Sequence, residues 1–313
     1  MLYSEIMGSI PPQLPPDRWE PGAGSWTPQP HQQNPGYQPE VLPPEGSYAP
    51  PRPVRRRRTG WAAAPATHLL LAINCAVFLW MLAHGVSPTG PSVEQLMRFG
   101  ADNAGNVLVY GEWWRIVSAM FVHVGIIHLA TNMWCLWNLG MLAEPLMGSL
   151  GVAAVYILTG AAGNLLSTLV NWVWPIREAG SVVFPAGAGA SGAVFGIAGA
   201  LIILLKSKRL PVPQHELKRL RRSVIYFAAI NLAIGFSISG CNFVFRSSGL
   251  NIDNMAHLGG FTSGLLFAAP MVPRLGSSNG EFQTRLRLST IGMVILLVLF
   301  GFYIAHISPP QGF

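Results

Sequence analysis

Charge is what this sequence has least of. Only 11% of its 313 residues are Asp, Glu, Lys or Arg, against about 25% in an ordinary soluble domain. Cysteine is almost missing as well: three in the whole chain, too few for a disulfide scaffold. Hydrophobic residues make up 50% and the mean hydropathy is +0.39. These shortages exclude a soluble enzyme, a coiled coil and a chain disordered throughout. They leave a polytopic membrane protein. Its 20 Lys and Arg against 13 Asp and Glu give a net +7, which in a membrane protein points first to basic cytoplasmic loops.

Proline is abundant but confined. Residues 1–60 hold 14 of the 26 prolines, interspersed with Gly, Gln and Ser. Such a segment cannot bury enough apolar surface to offset its ordering entropy, so it reads as a disordered cytoplasmic tail. It lacks the apolar core of a signal peptide. It ends in Arg55–Arg58, which reads as a juxtamembrane stop rather than a nucleic-acid patch. The tail either engages a partner through polyproline II or serves as a tether.

From Thr67 the chain is a series of apolar runs. A span needs about 20 residues to cross the hydrocarbon. Seven runs are long enough: about 67–86, 125–146, 150–174, 187–205, 223–241, 252–272 and 288–307. The expected organisation is a six-span core over 61–275, followed by 276–313 with an inner linker, the seventh span and a short outer C-terminus. Segment 87–124, too polar to span, reads as a partly ordered interfacial loop. With the N-terminus inside, 16 of the 20 bases fall on inner segments, which fixes N-in and C-out. The fourth run is short and rich in Gly and Ala, as expected of a helix surrounded by other helices.

Polar residues inside spans are costly and mark function. His128 and Asn132 open the second span, four apart and on one face. Gly189-Ala190-Ser191-Gly192 opens the fourth, and Asn254-Met255-Ala256-His257 the sixth. In the assigned orientation all three spans run inward, so His128, Ser191 and His257 share one depth. Gly192, Gly196 and Ala200 form one small-residue stripe. His257, Gly260 and Gly264 form another. Facing stripes of this kind let backbones approach closely and would bring Ser191 to His257. A serine needs a base to become a nucleophile, and histidine is the usual one. His128, Asn132 and backbone N–H groups at the helix start are suited to an oxyanion. No carboxylate is well placed behind the histidine. Asp253, four residues before it, is a weak candidate, so the reading is a Ser–His dyad.

These residues resemble the rhomboid intramembrane serine proteases, over roughly 67–272. The motifs are Gly189-Ala190-Ser191-Gly192, Ala256-His257 with Gly260 and Gly264, His128 with Asn132, and Trp114-Arg115 in the first loop. The resemblance implies an all-α, rhomboid-like six-helix core plus a C-terminal seventh span. It implies Ser191 as nucleophile, His257 as general base, and His128, Asn132 and the Ser191 N–H as the oxyanion hole. Gly189 keeps the loop before the serine compact. Phe195 stands where the family often has Tyr and can still pack on His257. Ile252 stands where Gly is frequent. The implied substrates are membrane proteins, without cofactor or metal, and without nucleic acid as a partner. With no transit peptide in view, a bacterial plasma membrane is the expected location. Two other classes stay open: a catalytically silent membrane-helix binder, and a haem or metal protein using His128 and His257.

Overall fold

The architecture follows from how each apolar helix satisfies its ends and finds a neighbour. In the computed structural model, the described backbone covers residues 63–178, 181–207, 210, 212–245, 252–274 and 279–309. The tail 1–60 with Arg55–Arg58, residues 246–251, and the Cys241 side chain lie outside the described residues. Everything described belongs to one compact unit, Arg56–Phe313.

The elements in order are α1 (Pro65–Ala83), α2 (Val93–Arg98), α3 (Ala104–Leu108), α4 (Arg115–Ser118) and α5 (Ile126–Val173). After these come β1 (Ile176–Glu178), β2 (Ser181–Val183), α6 (Ser191–Leu204), α7 (Gln214–Phe245) and α8 (Asn254–Ala268). A 3₁₀ turn (Ala269–Arg274) and α9 (Asn279–Ala305) complete them. The strands form one small antiparallel hairpin, Ile176 opposite Val183, within an otherwise helical bundle. Four described helices are long and apolar enough to cross a membrane: Pro65–Ala83, Ile126–Val173, Asn254–Val272 and Gly280–Ala305. The chain is thus an integral membrane protein.

The second and third apolar runs lie in one element of 48 residues, α5. Straight, it would extend about 72 Å. It does not run straight. Gly148 interrupts it at φ 76°, ψ 167°, a backbone position open to glycine but not to most other residues. Gly189 lies against His128, from the first half of α5, while Gly192 and Gly163, the latter from its second half, both lie against Ala256. Both ends of α5 therefore return to one end of the bundle, and its halves run antiparallel.

Segment 87–124 is more ordered than expected of an interfacial loop. Ser92 and Gln95 form a reciprocal capping box at the start of α2, satisfying two orphan donors. Asn103 caps α3. Arg115 then donates to the carbonyls of Met97 (2.7 Å) and Ala101 (3.0 Å) and pairs with Glu112. The Trp114 ring lies 4.5 Å from the Arg115 guanidinium. Polarity kept this segment from spanning, and caps and guanidinium bonds fold it.

Two polar ties hold α1 to α5. Asn74 donates to the Tyr156 hydroxyl at 3.0 Å. At the end near Gly148, the buried Glu144 carboxylate accepts from the Ala66 and Thr67 N–H groups (2.8 Å each) and the Thr67 hydroxyl (2.6 Å). It also accepts from Ser149 (2.7 Å). Ala64 offers α1 no side-chain cap, so a carboxylate on another helix satisfies donors that the first turn leaves open.

α6 is the centre. From Gly192 to Leu204, every residue but Ile203 is buried, which is why it can be apolar on all sides. Its contact with α8 is backbone to backbone. A Cβ on Gly260 would collide with the Gly192 carbonyl, and one on Gly264 with the Gly196 carbonyl. The fourth run, read over 187–205, is helical only from Ser191. α7 starts earlier than the fifth run, at Gln214, because its basic first turns extend the helix beyond the apolar stretch.

Two outcomes test this packing. Glu144→Gln sets an amide N–H₂ against donors and should lower the thermal midpoint in detergent. Glu144→Ala should cost more, about 3 kcal/mol, through buried donors left unpaired. Gly264→Val should force α6 and α8 apart and abolish a cooperative melt by circular dichroism.

Candidate active site

Ser191 is the first residue of α6, and α6 is short. Its 14 residues extend about 21 Å, less than the roughly 30 Å of hydrocarbon. Non-helical backbone at membrane depth is tolerated only where protein or a water-filled cavity satisfies it. The segment ahead of Ser191 is satisfied by the first loop. Gly187 and Asp102 exchange both backbone bonds (2.7 and 2.8 Å), and Gly189 N–H donates to Ala119 O at 2.9 Å. The Asn103 amide donates to Phe184 O at 2.7 Å. Ala190 N–H donates to His123 Nε2 at 3.5 Å.

Gly189 has a structural reason on two counts. Its φ is +129°, and a Cβ there would come 2.5 Å from His128 Cε1. The glycine thus lets the chain turn into α6 directly against the His128 ring. His128 itself is half-buried, with Nδ1 buried and without a hydrogen-bond partner. Asn132 is buried, and its amide donates to His128 O at 2.9 Å. Asn132 therefore bonds its own helix and keeps one N–H to spare.

His257 sits one turn before Gly260 on α8 and is 8% exposed. Its ring stacks on Phe195, centroids 4.5 Å apart and planes within 18°. Ser191 and Phe195 are four apart and share a face of α6, so the ring lies beside the face that carries the serine. His257 Nδ1 is buried and has no hydrogen-bond partner. Among the described residues no hydrogen bond joins Ser191 to His257. Such contacts are often long in substrate-free proteins and tighten on binding. Asp253, the weak candidate for a third member, is turned to another task. Its carboxylate caps α8 by accepting from Ala256 N–H at 2.9 Å and accepts from Ser167 at 2.6 Å.

His123 is a site neighbour that residue-by-residue reading leaves as interfacial or structural. It is fully buried, with its ring centroid 5.4 Å from that of His128. Accepting Ala190 N–H at Nε2 places its proton on Nδ1, directed at Phe121 O at 3.2 Å. Burial and the neighbouring His128 push its pKa down to about 3, so it is neutral. Its signal was its position five residues before His128 in the loop. Trp114 and Arg115 knit that same loop at a distance from Ser191. His68, His84 and His306 bond carbonyls four residues back, as structural histidines do. Among the described residues, no group of three His, Cys, Asp or Glu side chains converges as a metal site would require.

A cavity of about 360 Å³ opens beside the start of α8. Gly187, Asp253, Asn254 and Met255 line it together with Phe236 of α7. The arrangement sets a serine at a helix N-terminus, a stacked histidine on the adjoining helix, and a second histidine with an asparagine on a third.

Comparison with known proteins accords with this geometry. A family model described as Rhomboid domain matches residues 110–274. Rhomboid protease GluP of Bacillus subtilis (strain 168) is 32% identical over 241 residues, covering 77% of this chain and 40% of the relative. RHOMBOID-like protein 1 of Arabidopsis thaliana is 33% identical, covering 63% of this chain and 44% of the relative. Rhomboid protease AarA of Providencia stuartii is 30% identical, covering 68% and 74%. The chain thus spans less than half the length of the first two of these relatives. With its family model matched over more than half the chain, and with Ser191, His257, His128 and Asn132 gathered at one end of a helical membrane bundle, the protein belongs to the rhomboid family.

Proposed function

We propose that this protein is an intramembrane serine endopeptidase that cleaves membrane-spanning segments with a Ser191–His257 dyad. The observation that carries the reading is the placement of His257, stacked on Phe195 beside the serine-bearing face of α6. Two relatives bearing the name rhomboid protease support it. In this reading the N-terminus is cytoplasmic and the site opens to the outside. A bacterial plasma membrane is the proposed setting.

A substrate helix approaches laterally. α7 packs on α6 and α8 yet leaves Tyr226, Ile230 and Ile234 exposed, an apolar face open to a transmembrane neighbour. The substrate must unwind locally to expose a peptide bond, so Gly, Pro or polar residues near the cut favour cleavage. Ser191 Oγ attacks the carbonyl carbon while His257 takes its proton. The oxyanion is met by the Ser191 N–H at the helix start, by His128 and by the remaining N–H of Asn132. His257 then protonates the leaving amine, and water from the opening beside α8 hydrolyses the acyl-enzyme. His123 holds the Ala190 N–H and so fixes the turn that aims Ser191. A catalytically silent helix-binding role is the alternative, separated by whether a fluorophosphonate labels Ser191.

The decisive measurement is cleavage of a single-span reporter in proteoliposomes. Ser191→Ala and His257→Ala should each abolish it, and activity retained in either rejects the dyad. Asn132→Ala should lower the rate by about 10²–10³, as for one oxyanion donor. His123→Ala should reduce fluorophosphonate labelling of Ser191 while the protein stays folded.

A further inference from the structure

Beside the site lie two carboxyl groups that the dyad does not use. Asp102 belongs to the first loop and is 3% exposed. Its backbone pairs with Gly187, four residues before Ser191. Its Oδ2 accepts the Thr168 hydroxyl at 3.0 Å, while Oδ1 is buried without a hydrogen-bond partner. Asp253 begins α8, four residues before His257. It takes the hydroxyl of Ser167, the neighbour of Thr168 on α5. Both acids crowd the side-chain face of Gly187: a Cβ there would be 3.3 Å from Asp253 Oδ2 and 4.0 Å from Asp102 Oδ2. The carboxyls therefore meet over the segment that leads to the serine, each held by one of two consecutive hydroxyls.

A buried and a half-buried carboxylate this close repel, and a buried ion needs pairing. One proton, carried by one of the two, resolves both problems. Resting on the protease reading above, we propose that Asp102 and Asp253 are positioning residues that together hold one proton and clamp the Gly187 segment and the start of α8, so setting His257 against Ser191. Asp253 in its charged form suits the helix cap, where the N-terminal dipole favours an anion. Asp102 carries the proton, and its unpartnered Oδ1 is the oxygen free to bear it. Burial, with Asp253 nearby, raises the Asp102 pKa to about 7. The charged groups around it are Asp253 on α8 and Arg115 on α4, the latter already paired with Glu112. α5 presents the Ser167 and Thr168 hydroxyls. The cavity lined by Asp253 and Gly187 opens the Asp253 side of the pair to proton exchange.

The direction follows from that shift. Asp102 binds its proton more tightly folded than unfolded, so the stability it lends is lost as pH rises from the ordinary carboxylate range through about 7. Above neutrality the second charge loosens the clamp, and turnover should fall with kcat rather than KM. The test uses the full chain in proteoliposomes with a single-span reporter, from pH 5.5 to 9. Wild type should show a kcat decline centred near pH 7. Asp102→Asn, a fixed neutral form, should lack it. Asp253→Ala should lose kcat at every pH, and Asp253→Asn, which keeps the cap without the charge, should restore most of it with no decline above neutrality. A second measurement needs no activity: the melting midpoint of Ser191→Ala should drop between pH 5 and 8, and that of Ser191→Ala with Asp102→Asn should not. A kcat decline or a melting drop that persists unchanged in the Asp102→Asn background overturns the clamp. If wild type cleaves at no pH, the protease reading falls. The melting pair then judges the clamp by itself: a drop lost with Asp102→Asn supports it, and a drop retained overturns it.

Discussion

The bundle turns on the contact of α6 with α8. Lipid tails are as apolar as leucine, so membrane helices gain little by merely hiding apolar surface from one another. Close packing must hold them instead, and here it reaches backbone distance: Gly192 and Gly196 lie directly under Gly260 and Gly264. Ser191 and His257 are each within a turn of that contact. Their common level is thus fixed by backbone atoms, which have few alternative arrangements, and not by long side chains, which have many. Phe195 completes the setting by giving the His257 ring a flat surface.

The shortness of α6 explains why so much of the first loop is folded. A longer helix would satisfy the backbone ahead of Ser191 by itself. A short one leaves several peptide groups to be bonded from elsewhere. Asp102, Asn103, Ala119 and His123 bond them, and Arg115 in turn holds the carbonyls of the loop that presents these residues. The Trp114-Arg115 pair therefore serves the site through one intermediate layer.

The helical membrane bundle was legible because hydropathy and length report spans directly. The two glycine stripes were legible because four-residue spacing reports a helix face, and facing stripes leave few partners. What could not be read depends on pairs distant in the chain. Nothing local marks His123 as the acceptor for Ala190, or Asp102 as the neighbour of Asp253 across Gly187. Asp253 is only a weak candidate for backing His257 by sequence, since spacing of four gives the face but not the direction of a capping side chain. Segment 87–124 reads as only partly ordered because its stability lies in caps and guanidinium bonds, which leave no periodicity. The Ser–His spacing itself is set by tertiary approach and has no trace in sequence separation.

Gly148 carries a consequence for the acid beside it. With one left-handed residue in place of a loop, the two halves of α5 have almost no chain between them to order. Glu144, just before the turn, and Ser149, just after it, are thereby held within hydrogen-bond reach. A carboxylate that would be costly to leave bare in lipid thus has one donor from its own hairpin beside those that α1 supplies.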